Sequence, residues 1–179
     1  KDIGARYEIM PSFMAKWSQD FPGCSGHCHQ SLSDGKRNVF HDANPKTAGR
    51  AGMSKLFESY LAGQLKWLHD LGPMLWPTIN SYKRLVDGFW APVKPTWGVD
   101  NRTASFRVIP GGAKSTRLET RCPGADVNPY LALAACIAAG TAGIEQNLKL
   151  TTPPIAGTNV GGEDIARAPR TLIETTRIF

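Results

Sequence analysis

Cysteine is sparse in this 179-residue chain: Cys24, Cys28, Cys122 and Cys136 are too few and too scattered for a disulfide framework. That points to a reducing compartment, and the cytoplasm is the expected location. Long apolar runs are also missing. The most apolar stretch, Tyr130–Ile144, is rich in Ala and Gly, and it falls short of the roughly 20 residues that span a bilayer. It reads as a buried helix, and no membrane partner is expected. The chain has no internal repeat, no low-complexity tract and no secretory pattern. Lys1 is not a natural start, so the sequence is expected to be cut from something longer.

With 41% apolar and 20% charged residues, this is ordinary globular material, long enough to bury a core as one domain. Its net charge of +6 and pI near 9.3 favour anionic ligands such as nucleic acid, nucleotides or carboxylates.

Acid is scarcest where base is densest. Asn101–Arg121 holds Arg102, Arg107, Lys114, Arg117 and Arg121 against a single carboxylate, Glu119. Two strand-like pieces, Ala104–Ile109 and Thr116–Arg121, flank a turn at Pro110-Gly111-Gly112. Side chains alternate along a strand, so Arg117, Glu119 and Arg121 share one face, as do Ser105 and Arg107. Burying so many cations beside one acid is costly unless an anion sits among them. A solvated basic hairpin is the plain alternative.

Around this hairpin, His27–Leu32 and Val39–His41 read as a second hairpin, with His27, His29 and Ser31 on one face. Apolar residues at Leu56, Phe57, Tyr60, Leu61, Leu65 and Leu68 predict an amphipathic helix over Ser54–Leu71, capped by Ser54 and ended by Gly72-Pro73. Tyr82–Val86 is ambiguous between states. Asp87–Trp97, with Pro92 and Pro95, predicts an extended loop. Asn128-Pro129 marks a helix start, and the helix should run Pro129–Asn147. Thr151–Gly162 reads as loop and Pro169–Ile178 as a last helix.

Cys24, His27, Cys28 and His29 invite a zinc reading, but His27 and Cys28 alternate faces and cannot all converge on one tetrahedral ion. His27 and His29 share a face and could serve two adjacent ligands, one a metal ion and one a nucleotide. Five tryptophans (Trp17, Trp67, Trp76, Trp90, Trp97) could stack bases. However, the cations interleave with Gly and Pro in loops, which suits a many-oxygen anion such as a triphosphate better than nucleic acid.

Five blocks, in order, carry a resemblance: GCSGHCHQSL (Gly23–Leu32), NSYKRLVDGFWAPV (Asn80–Val93), NRTASFRV (Asn101–Val108), RLETR (Arg117–Arg121) and NPYLALAACIAAG (Asn128–Gly140). Together they resemble the catalytic domain of the glutamine synthetase family, including its glutamate–amine ligases. The resemblance implies an α+β fold: a curved, mostly antiparallel sheet lined by His27, His29, Arg107, Arg117, Glu119 and Arg121, with helices on its outer face. It implies ATP and Mg2+ or Mn2+ as cofactors, and activation of glutamate as a γ-glutamyl phosphate that an amine then attacks.

Residue by residue, the resemblance makes His27 and Glu119 metal ligands. His29, Ser31, Arg102, Arg107, Lys114 and Arg117 become nucleotide contacts, and Arg102 and Arg107 also face the transferred group. Gly23, His27, Arg84, Arg102 and Arg121 become contacts to glutamate. Departures are visible as well. Pro22 stands where the family has Asn, and Ser25 where it has a glycine. Glutamine synthetase proper reads Lys-Arg-Leu-Val-Pro-Gly-Tyr-Glu-Ala-Pro, and its ammonium-binding glutamate is replaced here by Trp90. An indole cannot act as a base but can hold a cation or an alkyl amine, while Asp87 could replace part of the lost charge.

The expectation is therefore ATP-dependent ligation of an organic amine to glutamate in an intact, ring-forming homo-oligomer. The alternatives are glutamine synthetase proper, and a non-catalytic, lens-type structural relative. The chain is expected to be a partial catalytic domain, inactive alone, lacking the amino-terminal β-grasp domain, upstream metal carboxylates and the carboxy-terminal end.

Overall fold

The computed structural model describes residues 1–158 and 162–179. The predicted loop over 151–162 is described except at 159–161, which lie outside those residues. After a short helix α1 (Asp2–Ala5), the elements run β1 (Cys28–Gln30), α2 (Lys55–Trp67), α3 (Gly72–Leu75) and α4 (Ile79–Arg84). Then come β2 (Trp97–Val99), β3 (Phe106–Ile109), β4 (Arg117–Thr120), α5 (Pro129–Glu145) and α6 (Leu172–Ile178).

The strands form one open sheet in the order β1-β4-β3-β2. β1 and β3 both lie antiparallel to β4, and β2 lies parallel to β3. The sheet is thus mixed, with helices packed on it in an α+β arrangement. Its β3–β4 register places Arg107 opposite Glu119 and Val108 opposite Leu118. Alternation then sorts the side chains. Phe106, Val108, Leu118 and Thr120 are buried on the helix side, while Arg107, Arg117 and Glu119 point to the other face.

Two helices seal the apolar side. Ser54 starts α2, its Oγ accepting from Phe57 N at 3.1 Å. Asn128 starts α5, accepting from Tyr130 N at 3.0 Å, with Pro129 in the first turn, where no donor is needed. The helices cross nearly backbone to backbone. A Cβ on Gly63 would sit 2.1 Å from Ala139 O, and one on Gly143 would sit 2.2 Å from Ser59 O. Phe40 stacks on Phe57 with centroids 4.1 Å apart, and Trp76, Trp97, Met53 and Leu61 complete the core.

A buried polar ring ties sheet to helices. Tyr60 Oη donates to Gln30 Oε1 at 2.8 Å, and Gln64 Nε2 donates to the same oxygen at 2.7 Å. Gln30 Nε2 donates to Thr120 Oγ1 at 2.9 Å, and that hydroxyl donates to Gln64 Oε1 at 2.8 Å. Each of these groups has a partner, as buried polar atoms require.

Several local expectations are corrected. His27–Leu32 and Val39–His41 meet only at the turn, through the Ser33–Asn38 bridge and Val39 N donating to Leu32 O at 2.9 Å, while β1 itself pairs with β4 and His41 bridges to Met53. A ladder with β4 leaves His29 beside Glu119, which a local hairpin would not. Gly72-Pro73 does not simply end a helix but opens α3, since proline suits a first helical turn. The ambiguous Tyr82–Val86 is helical as far as Arg84, as the end of α4, which a capping box between Thr78 and Ser81 starts at Ile79. Ser105 lies before β3 rather than on the polar face; it is fully buried and donates to Lys94 O.

Candidate active site

The polar face of the sheet converges on Glu119. Its Oε1 lies 2.8 Å from His27 Nδ1 and 2.7 Å from Arg121 Nη1, and its Oε2 lies 3.0 Å from Arg107 Nη1. His29 Nε2 stands 3.8 Å from Oε1, and Arg117 Nε donates to His29 Nδ1 at 3.2 Å. Five groups predicted from three separate stretches of sequence thus meet around one buried carboxylate. Strand alternation is the cause, because each sits on the same parity of β1, β3 or β4, His27 and Arg121 one residue beyond the ends of β1 and β4.

Burial alone would raise the Glu119 pKa, but Arg121, Arg107 and His27 outweigh it, and the carboxyl is held below its ordinary range. His27 moves the other way. Burial and the nearby Arg121 push its pKa down to about 4, against the opposing pull of Glu119. The imidazole is therefore neutral at pH 7. With its Nδ1–H directed at Glu119, Nε2 carries the free lone pair.

Cys28 points away from this face: its thiol hydrogen-bonds to that of Cys136 on α5, on the helix side. His27 and Cys28 are thereby separated by the sheet itself.

A second cluster adjoins the first. Arg84 on α4 is 3% exposed, and its Nη1 donates to Cys122 O at 2.9 Å. Its Nη2 reaches Arg121 O at 3.4 Å, which sets Arg84 behind Arg121. Gly23 lies against it, since a Cβ there would stand 2.8 Å from Arg84 Cγ and 2.2 Å from Ala15 O. Asn80 holds that neighbouring segment as a strand would, exchanging hydrogen bonds of 2.8 Å with Lys16 N and Lys16 O. Gly23, Arg84 and Arg121 are therefore neighbours. Arg121 Nε is buried without a hydrogen-bond partner among the described residues, an open donor in a cationic pocket.

Other predicted residues lie further out. Ser31 follows β1, Lys114 sits in the β3–β4 connection and Arg102 in the β2–β3 loop, and all three are exposed. Arg102 remains within electrostatic reach of Arg121 and Asp100. Ser31 and Lys114 make no contact with the Glu119 cluster among the described residues. Asp87 is exposed, and its Oδ2 lies 3.5 Å from Arg167 Nε.

Asp100 is a residue that sequence reading missed. It accepts from Arg107 Nε at 3.0 Å and also from Nη2, and it adopts φ 49° to do so. Arg107 is thus held between Asp100 and Glu119. The only available signal was the acidic residue just before Asn101-Arg102.

Trp90 is 62% exposed and has φ 59°, following Gly88 at φ 84°. It is presented at the surface, not packed. Among the described residues, no helix is long and apolar enough to cross a membrane.

An open α+β sheet that gathers arginines and imidazoles around one carboxylate defines a binding face for anionic, oxygen-rich groups. Comparison with known proteins places it further. The model of the glutamine synthetase catalytic domain matches residues 1–177, and the chain belongs to that family. It is 47% identical over its whole length to type-1 glutamine synthetase 2 of Dictyostelium discoideum, covering 34% of that protein. It is 42% identical to the gamma-glutamylethanolamide synthetase GlnA4 of Streptomyces coelicolor, again over its whole length and over 37% of the relative. With a glutamate–isopropylamine ligase of a Pseudomonas species it shares 40% identity over 93% of the chain and 36% of that enzyme. The chain spans about a third of the length of these curated relatives.

Proposed function

We propose that the protein carrying this chain ligates an amine to the γ-carboxylate of glutamate at the expense of ATP. The observation that supports this most is the convergence of Arg107, Arg121, His27 and His29 on Glu119, beside the Gly23–Arg84–Arg121 pocket. The first cluster suits phosphoryl oxygens and the second suits a carboxylate. Relatives named as a gamma-glutamylethanolamide synthetase and a glutamate–isopropylamine ligase support the same reading.

In the reaction, a γ-carboxylate oxygen of glutamate attacks the γ-phosphorus of ATP and ADP leaves, forming γ-glutamyl phosphate. The lone pair of the amine then attacks the carbonyl carbon. A C–N bond forms, the C–O bond to phosphate breaks, and one proton passes from nitrogen to water. Arg107 and Arg102 stabilise charge as it spreads over the moving phosphoryl oxygens. Arg84 and Arg121 hold the glutamate carboxylate against Gly23. His29, Ser31, Lys114 and Arg117 hold the nucleotide.

A divalent cation, Mg2+ or Mn2+, fits this face only as a shared guest. No group of three or more His, Cys, Asp or Glu is gathered to hold one among the described residues. Glu119 has about four lone-pair positions, three of them taken at 3.0 Å or less. His27 offers Nε2. One carboxylate position and one imidazole suit an ion whose remaining sites are water and phosphate oxygens. Such an ion would neutralise phosphate charge.

An organic amine is the favoured acceptor because Trp90 stands where a base would be needed for ammonium. The reading is of a homo-oligomeric enzyme acting on glutamate, ATP and an amine in the cytoplasm, of which this chain is part of the catalytic domain. The test is glutamate-dependent phosphate release by the full-length protein with ATP and Mg2+, comparing ammonium, methylamine and larger amines. Turnover should require glutamate and yield a γ-glutamylamide. Release without glutamate, or no amide with any amine, refutes ligation, and fastest turnover with ammonium refutes the Trp90 reading.

A further inference from the structure

Beside the Arg107–Glu119 pair lies a cavity of about 520 Å3, whose lining includes Trp90, Val99, Asp100, Arg102, Pro154 and Ile155. It is contiguous with the proposed transfer site through Asp100, which takes two donors of Arg107, and Arg107 in turn reaches Glu119. Two features of its lining select what can enter. Trp90, Val99, Pro154 and Ile155 present carbon. Among the described lining residues the charged ones are Arg102 and Asp100, and Asp100 already accepts from Arg107 through two N–H donors.

The loop is built to hold this shape. Asn101 Nδ2 donates to Ile155 O at 3.2 Å and to Gly157 O at 3.1 Å, tying the two walls together. Asn101 Oδ1 accepts from Thr103 N at 2.7 Å, which fixes the turn carrying Arg102. Trp90 reaches the cavity through a left-handed backbone conformation that a bulky residue adopts at a cost, so its presentation there is imposed by the surrounding fold.

We infer that this cavity receives the substituent of the acceptor, and that it selects a monoamine with an uncharged apolar tail over a diamine or polyamine of the same length. This deepens the ligase reading and rests on it. The attacking nitrogen lies toward Arg107 and Glu119, and the tail lies along the Trp90 indole. A second ammonium at the far end would leave water for an apolar wall beside the Arg102 guanidinium, and the one carboxylate among the described lining residues, Asp100, is already paired with Arg107. A methyl group at the same position gains contact with carbon instead.

The decisive comparison is n-butylamine against 1,4-diaminobutane, which differ only at the end distant from the reacting nitrogen. With the full-length protein, glutamate, ATP and Mg2+, kcat/KM should favour n-butylamine by about tenfold or more. In Trp90→Ala the ratio of n-butylamine to methylamine should fall by about tenfold. Ala156 is exposed and also lines the cavity, so Ala156→Trp should lower the same ratio by filling space. Saturation-transfer NMR should show n-butylamine protons in contact with the wild type and not with Trp90→Ala. A diamine that matches or exceeds the monoamine, or a ratio unchanged in both variants, overturns the inference while the ligase reading stands. Failure to form an amide with any amine overturns both.

Discussion

Arg107 and Glu119 face each other across the β3–β4 ladder as a registered pair, Nη1 to Oε2 at 3.0 Å, with Asp100 on the far side of the guanidinium. The pair is one of three contacts at 3.0 Å or less that keep the buried Glu119 ionised. Removing its charge strands Arg107 and Arg121 on a face built around it. Glu119→Gln, which keeps the volume, should therefore cost on the order of 3–5 kcal/mol, read as a lower urea midpoint. Inorganic phosphate should recover part of that loss by occupying the cationic face, since a ligand that binds only the folded state stabilises it. A variant as stable as wild type and indifferent to phosphate would show that the cluster is merely a solvated basic surface.

His27 supplies the pH prediction. Its pKa is pushed to about 4, first by burial and then by Arg121, while the unfolded chain titrates near 6.5. Between those values the unfolded state binds more protons than the folded one, so stability rises with pH through this window. The contribution is fully present above 6.5 and lost as pH falls toward 4. The imidazole Cε1–H resonance of His27 should titrate with a midpoint near 4. A midpoint at or above 6.5 would mean that the imidazole is not held neutral against Glu119.

Much of this site was legible from alternation alone. The parity of Arg117, Glu119 and Arg121, and of His27 and His29, put each on the face where the structure holds it. What parity could not supply was pairing across distance. Gln30 and Thr120 are separated by 90 residues, yet their side chains touch and their strands are neighbours. A local hairpin from Leu32 to Val39 was the cheaper sequence hypothesis, and only core packing confines it to the turn. Helix α4 was illegible for a different reason. It is six residues long, and its cap draws on Asp126, whose Oδ2 accepts from Thr78 Oγ1 at 2.6 Å and Ser81 Oγ at 2.7 Å. The burial of Arg84 was hidden too, because cations are seldom buried without a partner, and here the partners are backbone carbonyls.

Gly143 sets two helix-stabilising effects against each other. Replacing glycine by alanine within a helix gains roughly 0.8–1.0 kcal/mol of propensity. In α5 the new methyl would stand 2.2 Å from Ser59 O and 2.8 Å from Gly63 Cα, both backbone atoms of α2. Overpacking of that kind costs about 1–3 kcal/mol, and backbone cannot rotate aside. Gly143→Ala should therefore be net destabilising by thermal unfolding. A raised Tm would mean that α2 and α5 are further apart than the structure has them.

Asn128 tests the start of α5 separately from its packing. The side chain is exposed, and Oδ1 accepts from Tyr130 N at 3.0 Å and Leu131 N at 3.4 Å. Asn128→Ala should cost about 1 kcal/mol, whereas Asn128→Asp should retain most of the stability because aspartate caps equally well. Equal losses in both variants would assign the effect to something other than capping.

The buried ring of Gln30, Tyr60, Gln64 and Thr120 decides which way β1 and β4 face. A slip of one residue in either strand would turn Glu119 into the core and Leu118 outward. Thr120 is the member with most to lose. Its Oγ1 accepts from Gln30 Nε2 and donates to Gln64 Oε1, so Thr120→Val strips Gln64 Oε1 of this donor and leaves Gln30 Nε2 only its 3.4 Å bond to Cys28 O, at about 1–3 kcal/mol for each group left unsatisfied. Tyr60→Phe removes only one of two donors to Gln30 Oε1, because Gln64 Nε2 still reaches that oxygen at 2.7 Å. Its cost should be about 0.5–1.5 kcal/mol. In urea unfolding Thr120→Val should thus lose clearly more than Tyr60→Phe, although it deletes less of the side chain. The reverse order would mean that tyrosine packing, not the hydrogen-bond ring, holds the sheet in register beneath Glu119.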